Sequence, residues 1–162
     1  MRQSVIKWLK EKEAKYNLQG PILEVGSFIV SGHGHHADLR PLFPGREYLG
    51  TDMREGRGVD QVCNVEALPF KDDTFPSAIS CDTFEHVKHP WVGIEEMRRV
   101  LKPGGILLFT VPFFFPIHDH PHDYWRYTPD GCRVLLENFS KVIVGQEPQG
   151  VKPGLVHAVA FK

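Results

Sequence analysis

Residues 106–111, Ile-Leu-Leu-Phe-Thr-Val, form a near-continuous apolar run that follows Lys-Pro-Gly-Gly and leads into a proline. A strand without polar alternation must be covered on both faces, which places it in the middle of a sheet sandwiched between helices. The same order of short apolar run, turn and helical pattern recurs along the chain, although no segment repeats another in sequence. That alternation predicts a parallel sheet. Strands are expected at 21–25, 47–51, 59–62, 77–81, 106–111, 141–145 and 155–161, and helices at 4–16, roughly 36–43, 91–101 and 130–138. With 162 residues the chain has the size of one domain. The expected fold is therefore a single α/β domain whose seven-stranded, mostly parallel sheet carries helices on both faces, the last strand running antiparallel. The 4–16 helix, with Val5, Trp8 and Leu9 on one side, reads as an outer flap.

Charge narrows the partners. Nineteen Lys and Arg against twenty Asp and Glu give a formal net charge of −1, so no bulk positive field draws the chain to nucleic acid or anionic lipid. The first residues lack the apolar core of a signal peptide, and no 18-residue uncharged stretch occurs. A cytoplasmic protein with no membrane segment is expected. Cys63, Cys81 and Cys132 are odd in number and far apart, which suits reduced, mostly buried thiols better than a disulfide framework.

In an open α/β sheet, ligands bind beyond the carboxyl ends of the strands. The first strand ends in Glu-Val-Gly-Ser (24–27), the second in Asp52. A glycine lets a ligand approach the backbone, and a carboxylate at the second position can accept both hydroxyls of a ribose. Each taken alone is equally a turn glycine or a capping residue. Together, on successive strand ends, they favour nucleoside binding.

At these residues the chain resembles the class I, Rossmann-like S-adenosylmethionine-dependent methyltransferases, and in particular the small type 11-like members. The resemblance spans about residues 20–145. It rests on I-L-E-V-G-S at 22–27, Y-L-G-T-D-M at 48–53, C-N-V-E-A-L-P-F at 63–70, C-D-T-F-E-H-V at 81–87 and R-V-L-K-P-G-G-I-L-L-F-T-V-P at 99–112. It implies that Glu24, Gly26 and Ser27 surround the methionine part of the cofactor S-adenosylmethionine, that Asp52 holds the ribose, and that Met53 lies against the adenine. Asn64 stands where the family often has an aspartate facing the adenine amino group, with Val65 beside it. Cys81 and Asp82 correspond to positions near the sulfonium, and Glu85-His86 to the short motif that opens the next helix. The chain departs from the family's Gly-x-Gly-x-Gly run, because Phe28-Ile-Val-Ser31 intervenes before Gly32 and Gly34. The dinucleotide fingerprint Gly-x-Gly-x-x-Gly is absent, which counts against a nicotinamide oxidoreductase.

The stretch from Phe113 to Pro129 is rich in aromatic residues and histidine and hangs from the end of the fifth strand, where a methyl acceptor would enter. His118, His120 and His122 alternate with Asp119 and Asp123. A metal site is one reading, but Pro121 breaks the regularity and the spacing matches no standard zinc pattern, so no metal is assigned. The second reading is catalytic, with His118 or His122 as general base toward a hydroxyl or amine. The third is structural, with these side chains fixing the loop by hydrogen bonds. Tyr124 and Arg126 are candidate acceptor contacts, Arg126 through its planar fork to a carboxylate or phosphate, with an internal ion pair as the alternative. His33, His35 and His36 would point in different directions on a helix, so they carry no metal assignment. Trp91, Met97 and Phe109 read as core, and the charged residues from Glu95 to Arg99 as a solvated helix face.

The sequence thus predicts methyl transfer from S-adenosylmethionine to a small-molecule acceptor. The rivals are a non-catalytic module that binds or senses the cofactor and a histidine-rich metal-binding protein. A domain of this size without a lid can borrow a neighbour's surface to close its site, which makes a homodimer the candidate assembly.

Overall fold

The computed structural model describes residues 3–30, 38–118, 122–147 and 154–162. In chain order the elements are α1 (Gln3–Tyr16), β1 (Ile22–Val25), β2 (Tyr48–Asp52), β3 (Gln61–Val62), β4 (Phe75–Cys81), α2 (Pro90–Val100), β5 (Leu101–Pro112), α3 (Pro129–Leu135), β6 (Lys141–Glu147) and β7 (Leu155–Phe161). The seven strands form one sheet in the order β3-β2-β1-β4-β5-β7-β6. Neighbours from β3 to β5 pair in parallel, whereas β7 runs antiparallel to both β5 and β6. Six strands therefore share one direction and the last opposes them, as expected.

The apolar run of β5 shows why continuous hydrophobicity was needed. Leu107, Phe109 and Val111 enter a core with α2 and α3, while Leu108 points to the other face, into a core with α1. Each side chain alternates, but both destinations are dry. On the second face Val5, Trp8 and Leu9 are fully buried against Ile22, Ile79 and Val159. The helix expected as a flap is thus a covering layer of the sheet. Burying three such side chains contributes on the order of 5–8 kcal/mol before the entropy of ordering the helix is counted.

Prolines set several boundaries. Pro90 and Pro129 occupy the first turns of α2 and α3, where their missing N–H costs nothing, and Thr128 caps α3 by accepting a hydrogen bond from the Gly131 N–H at 3.0 Å. The helix expected near 36–43 is not formed in its described part. Residues 40–42 make a single 3-10 turn, because Pro41 lacks an N–H donor and Pro44 follows immediately. His33, His35, His36, Gly32 and Gly34 lie outside the described residues.

Candidate functional site

Between β1 and β4 the chain order reverses, with β2 leaving to one side and β4 to the other. A cavity of about 580 Å³ opens at the carboxyl ends of these strands, where an open α/β sheet places its ligands. It has two compartments.

The first is walled largely by backbone. Gly26 holds φ +89°, and a Cβ there would overlap the Thr83 side chain. Only glycine fits without displacing that wall. Asp52 lines the same compartment with its side chain 9% exposed, and its Oδ1 accepts hydrogen bonds from the Arg54 N–H (3.0 Å) and Nε (3.3 Å). Arg54 in turn stacks on Phe28, its guanidinium carbon 4.2 Å from the ring centre. Met53, Asn64 and Val65 line the adjoining wall, Cys81 and Asp82 the floor. Asp82 adopts φ +49° and ties its N–H to the Thr110 carbonyl at 2.9 Å. Burial pushes the Cys81 thiol well above its usual range, so it stands as a neutral apolar surface.

Two expected cofactor contacts lie away from the cavity, and a third that lines it is already engaged. Glu24 is one residue from Val25 on a strand, so its side chain leaves on the opposite face and takes a 2.8 Å hydrogen bond from the Tyr48 hydroxyl. Burial raises its pKa to about 7, against the lowering pull of that hydroxyl. Ser27 is buried beside Gly50 with an unpartnered hydroxyl and does not line the cavity. Asn64 lines it, but its Oδ1 already caps the following turn by accepting from the Glu66 N–H at 3.0 Å.

The second compartment is built from side chains. His118, His122 and Tyr124 from the long loop face Glu85 and His86 from the 3-10 turn Phe84–His86 that follows β4. Loop and turn are stitched together. The Glu85 carbonyl accepts from the Tyr124 N–H (2.7 Å), the Phe84 carbonyl from the Tyr127 hydroxyl (2.9 Å) and the Val87 carbonyl from Trp125 Nε1 (2.9 Å). Glu85 is 1% exposed, its Oε2 has no hydrogen-bond partner, and its Oε1 lies 3.9 Å from Nε2 of both His86 and His118. Desolvation, then the charge of Asp82, pushes its pKa up to about 8.

Arg126 does not reach the cavity. Its five N–H donors go to both Asp123 oxygens (2.5 and 2.7 Å) and to the carbonyls of Phe115, Pro116 and Trp125. The expected contact to an acceptor anion therefore gives way to the internal ion pair, which holds Asp123 down to about pKa 2. Asp123 also accepts from the His118 N–H at 2.8 Å. His120 and Asp119 lie outside the described residues.

Sequence reasoning treated Glu85-His86 only as a motif opening a helix and missed that His86 meets His118 ring to ring, centroids 4.8 Å apart. The available signal was a Glu-His pair directly after a strand. Trp91, expected in the core, is 54% exposed and packs edge-on against Trp125. Glu96 and Arg99, expected to be solvated, clasp the segment before β4 through Leu68 N and the carbonyls of Leu68 and Phe70.

The sequence profile of the methyltransferase-domain family matches residues 44–109. Among curated relatives, a ubiquinone/menaquinone biosynthesis C-methyltransferase UbiE of Geotalea daltonii is 36% identical over 148 residues, covering 80% of this chain and 62% of the relative. The counterpart from Geobacter sulfurreducens is 39% identical over 71 residues, 42% of this chain and 28% of the relative. The chain thus spans less than two thirds of either relative's length. Two solved structures share the fold. A SAM-dependent methyltransferase from Aquifex aeolicus superposes with TM-score 0.62 at 20% identity, covering 99% of this chain and 98% of that one. The 1,6-didemethyltoxoflavin-N1-methyltransferase of Burkholderia thailandensis, solved with S-adenosylhomocysteine, gives 0.70 at 16% identity over 93% of this chain and 74% of that one.

Proposed function

We propose, on the premise that this chain is a class I, Rossmann-like S-adenosylmethionine-dependent methyltransferase, that it methylates an oxygen or nitrogen of a small molecule held beside Glu85, His118 and Tyr124. The observation that supports this reading is one continuous cavity joining the Gly26/Asp52 compartment to the Glu85/His86/His118 compartment. When bound, S-adenosylmethionine supplies a methyl group on a sulfonium; the carbon–sulfur bond breaks as the bond to the acceptor forms, leaving the thioether S-adenosylhomocysteine.

In this reading Asp52 accepts the ribose hydroxyls, with Arg54 fixing its orientation. Gly26 offers bare backbone to the methionine part, Met53 and Val65 flank the adenine, and Cys81 and Asp82 stand near the sulfonium. A buried, narrow floor excludes water and aligns acceptor, methyl and sulfur, which is most of what an enzyme can contribute to such a displacement. Of the two candidate bases, His118 is locked by Asp123 into the Glu85 cluster, whereas His122 stands on the exposed side of the cavity. We take His122 as the group that receives the acceptor's proton and His118 as one that orients the acceptor. Proton uptake by a positioned imidazole is worth about 10²–10⁴-fold in rate.

The three cysteines are free thiols, which supports the cytoplasmic assignment, and no helix among the described residues is long and apolar enough to cross a membrane. Exposed Met53, Phe115 and Tyr124 on the cavity wall support a second copy as its cover, which light scattering reads.

The test is a thermal melt with S-adenosylhomocysteine. At about a hundred times its dissociation constant the ligand should add about 2.7 kcal/mol, a rise of about 5–10 °C for a domain of this size. Asp52→Ala should remove most of that rise. An unchanged melt overturns the reading; a normal rise without turnover across hydroxyl and amine acceptors favours a cofactor-binding module.

A further inference from the structure

We infer that Glu85 selects the methyl acceptor, taking an uncharged planar ring whose edge carries an N–H beside a C=O, as in a lactam or a cyclic imide. Four buried side-chain atoms among the described residues have no hydrogen-bond partner, namely Trp8 Nε1, Ser27 Oγ, Ser80 Oγ and Glu85 Oε2. Of the four residues only Glu85 lines the cavity. A buried polar group left unsatisfied by the protein, on the wall of a cavity, is one that an occupant can complete. The Glu85 carbonyl meanwhile accepts from the N–H groups of Tyr124 (2.7 Å) and Trp125 (3.3 Å), which ties the residue's turn to the long loop before any ligand arrives.

The surroundings decide which form of the carboxyl meets the ligand. An ionised carboxylate at this depth needs a cation or several donors. Arg126 on the facing loop pulls in that direction, but its N–H groups are committed to Asp123 and to three carbonyls. Nε2 of His86 and of His118 each stand 3.9 Å from Oε1, beyond hydrogen-bond length. Asp82 and Asp123 add negative charge from either side, while burial keeps Cys81 and Tyr127 neutral. Desolvation and the charge of Asp82 therefore hold the proton on Glu85. A protonated carboxyl offers one donor and one acceptor on a single flat edge, the complement of an N–H beside a C=O. The exposed rings of Phe115 and Tyr124 line the same compartment and offer faces to a flat ring. An anionic ring would add to the charge of Asp82 and Asp123 and is disfavoured. The binding preference stands on this geometry; that the bound ring is the methyl acceptor rests on the proposed methyl transfer.

The probes are oxindole, a flat lactam, with N-methyloxindole, which lacks the donor, and benzoate, which is flat and charged. Each is titrated by ligand-observed NMR with and without S-adenosylhomocysteine. Oxindole should bind at least about tenfold tighter than the other two. Glu85→Leu should remove that preference, whereas Glu85→Gln, whose carboxamide also presents a donor and an acceptor, should keep oxindole within about threefold. Oxindole affinity of the unaltered protein should fall as pH rises past about 8, where Glu85 loses its proton, and that of Glu85→Gln should not. The S-adenosylhomocysteine melting rise, read on the same samples, shows that each variant is folded. Oxindole that binds no tighter than N-methyloxindole, or not at all, overturns the proposal, as does a Glu85→Gln variant that loses it as fully as Glu85→Leu. A tenfold loss of S-adenosylmethionine relative to S-adenosylhomocysteine in Glu85→Gln also overturns it, because it would set an ionised Glu85 against the sulfonium. Lactam preference without any nucleoside-induced melting rise would instead overturn the methyl-transfer reading alone.

Discussion

The two compartments of the cavity are made from different materials. The Gly26/Asp52 end uses strand termini, a glycine with a positive φ and one carboxylate held by its neighbour two residues on. The Glu85/His118 end uses side chains from segments about thirty residues apart, joined by an aspartate, an arginine and backbone carbonyls. Local backbone geometry tolerates little change and is shared wherever the same ligand is bound. A side-chain assembly can be rebuilt by substitution, which suits the end that must recognise one acceptor among many.

The largest expected effect separates the first compartment from the carboxyl group behind it. Glu24 has a native pKa of about 7 against 4.5 when exposed. The fold favours its protonated form, so stability falls as pH rises from about 4.5 through 7. Glu24→Gln should therefore add up to about 3 kcal/mol at pH 8 and almost nothing near pH 4.5, seen in paired thermal melts, with nucleoside affinity unchanged. A tenfold loss of S-adenosylhomocysteine binding in that variant would return Glu24 to the binding wall. Next, Gly26→Ala combines a strained φ with overlap at Thr83 and should weaken S-adenosylhomocysteine by about a hundredfold, or about 2.7 kcal/mol, in titration calorimetry. A loss under threefold would mean that this end is not built on backbone.

Asp123→Asn tests the other compartment. It removes the bidentate partner of Arg126 and should lower turnover about tenfold, about 1.4 kcal/mol, leaving nucleoside affinity within twofold; equal losses at both ends would erase the distinction. The smallest effect is at Asn64. Aspartate caps a turn as well as asparagine but accepts more strongly. Asn64→Asp should thus tighten S-adenosylhomocysteine two- to threefold without moving the melting temperature of the free protein.

The same contrast explains what the sequence disclosed. All seven strands were legible, most of them as short apolar runs between turn residues, and β7 matches its expected span of 155–161. The first compartment followed, since Gly26 and Asp52 sit where such strands end. Glu24 was misplaced for a reason visible in retrospect, namely that strand periodicity sends it to the face opposite Val25. Pro41 defeated the 36–43 helix, and Trp91 fell in the first turn of α2 rather than deeper in its buried stripe. The pairing of His86 with His118 has no local signature at all, because it depends on how the long loop folds back onto the turn after β4.

That turn has a consequence of its own. Thr83 presses on the glycine of one compartment while Glu85, two residues later, furnishes the wall of the other. Occupants of both chambers thus lean on one short turn of backbone. Thermodynamic reciprocity then requires that, by whatever factor the first guest alters the grip on the second, the second alters the grip on the first equally, irrespective of the sequence of arrival.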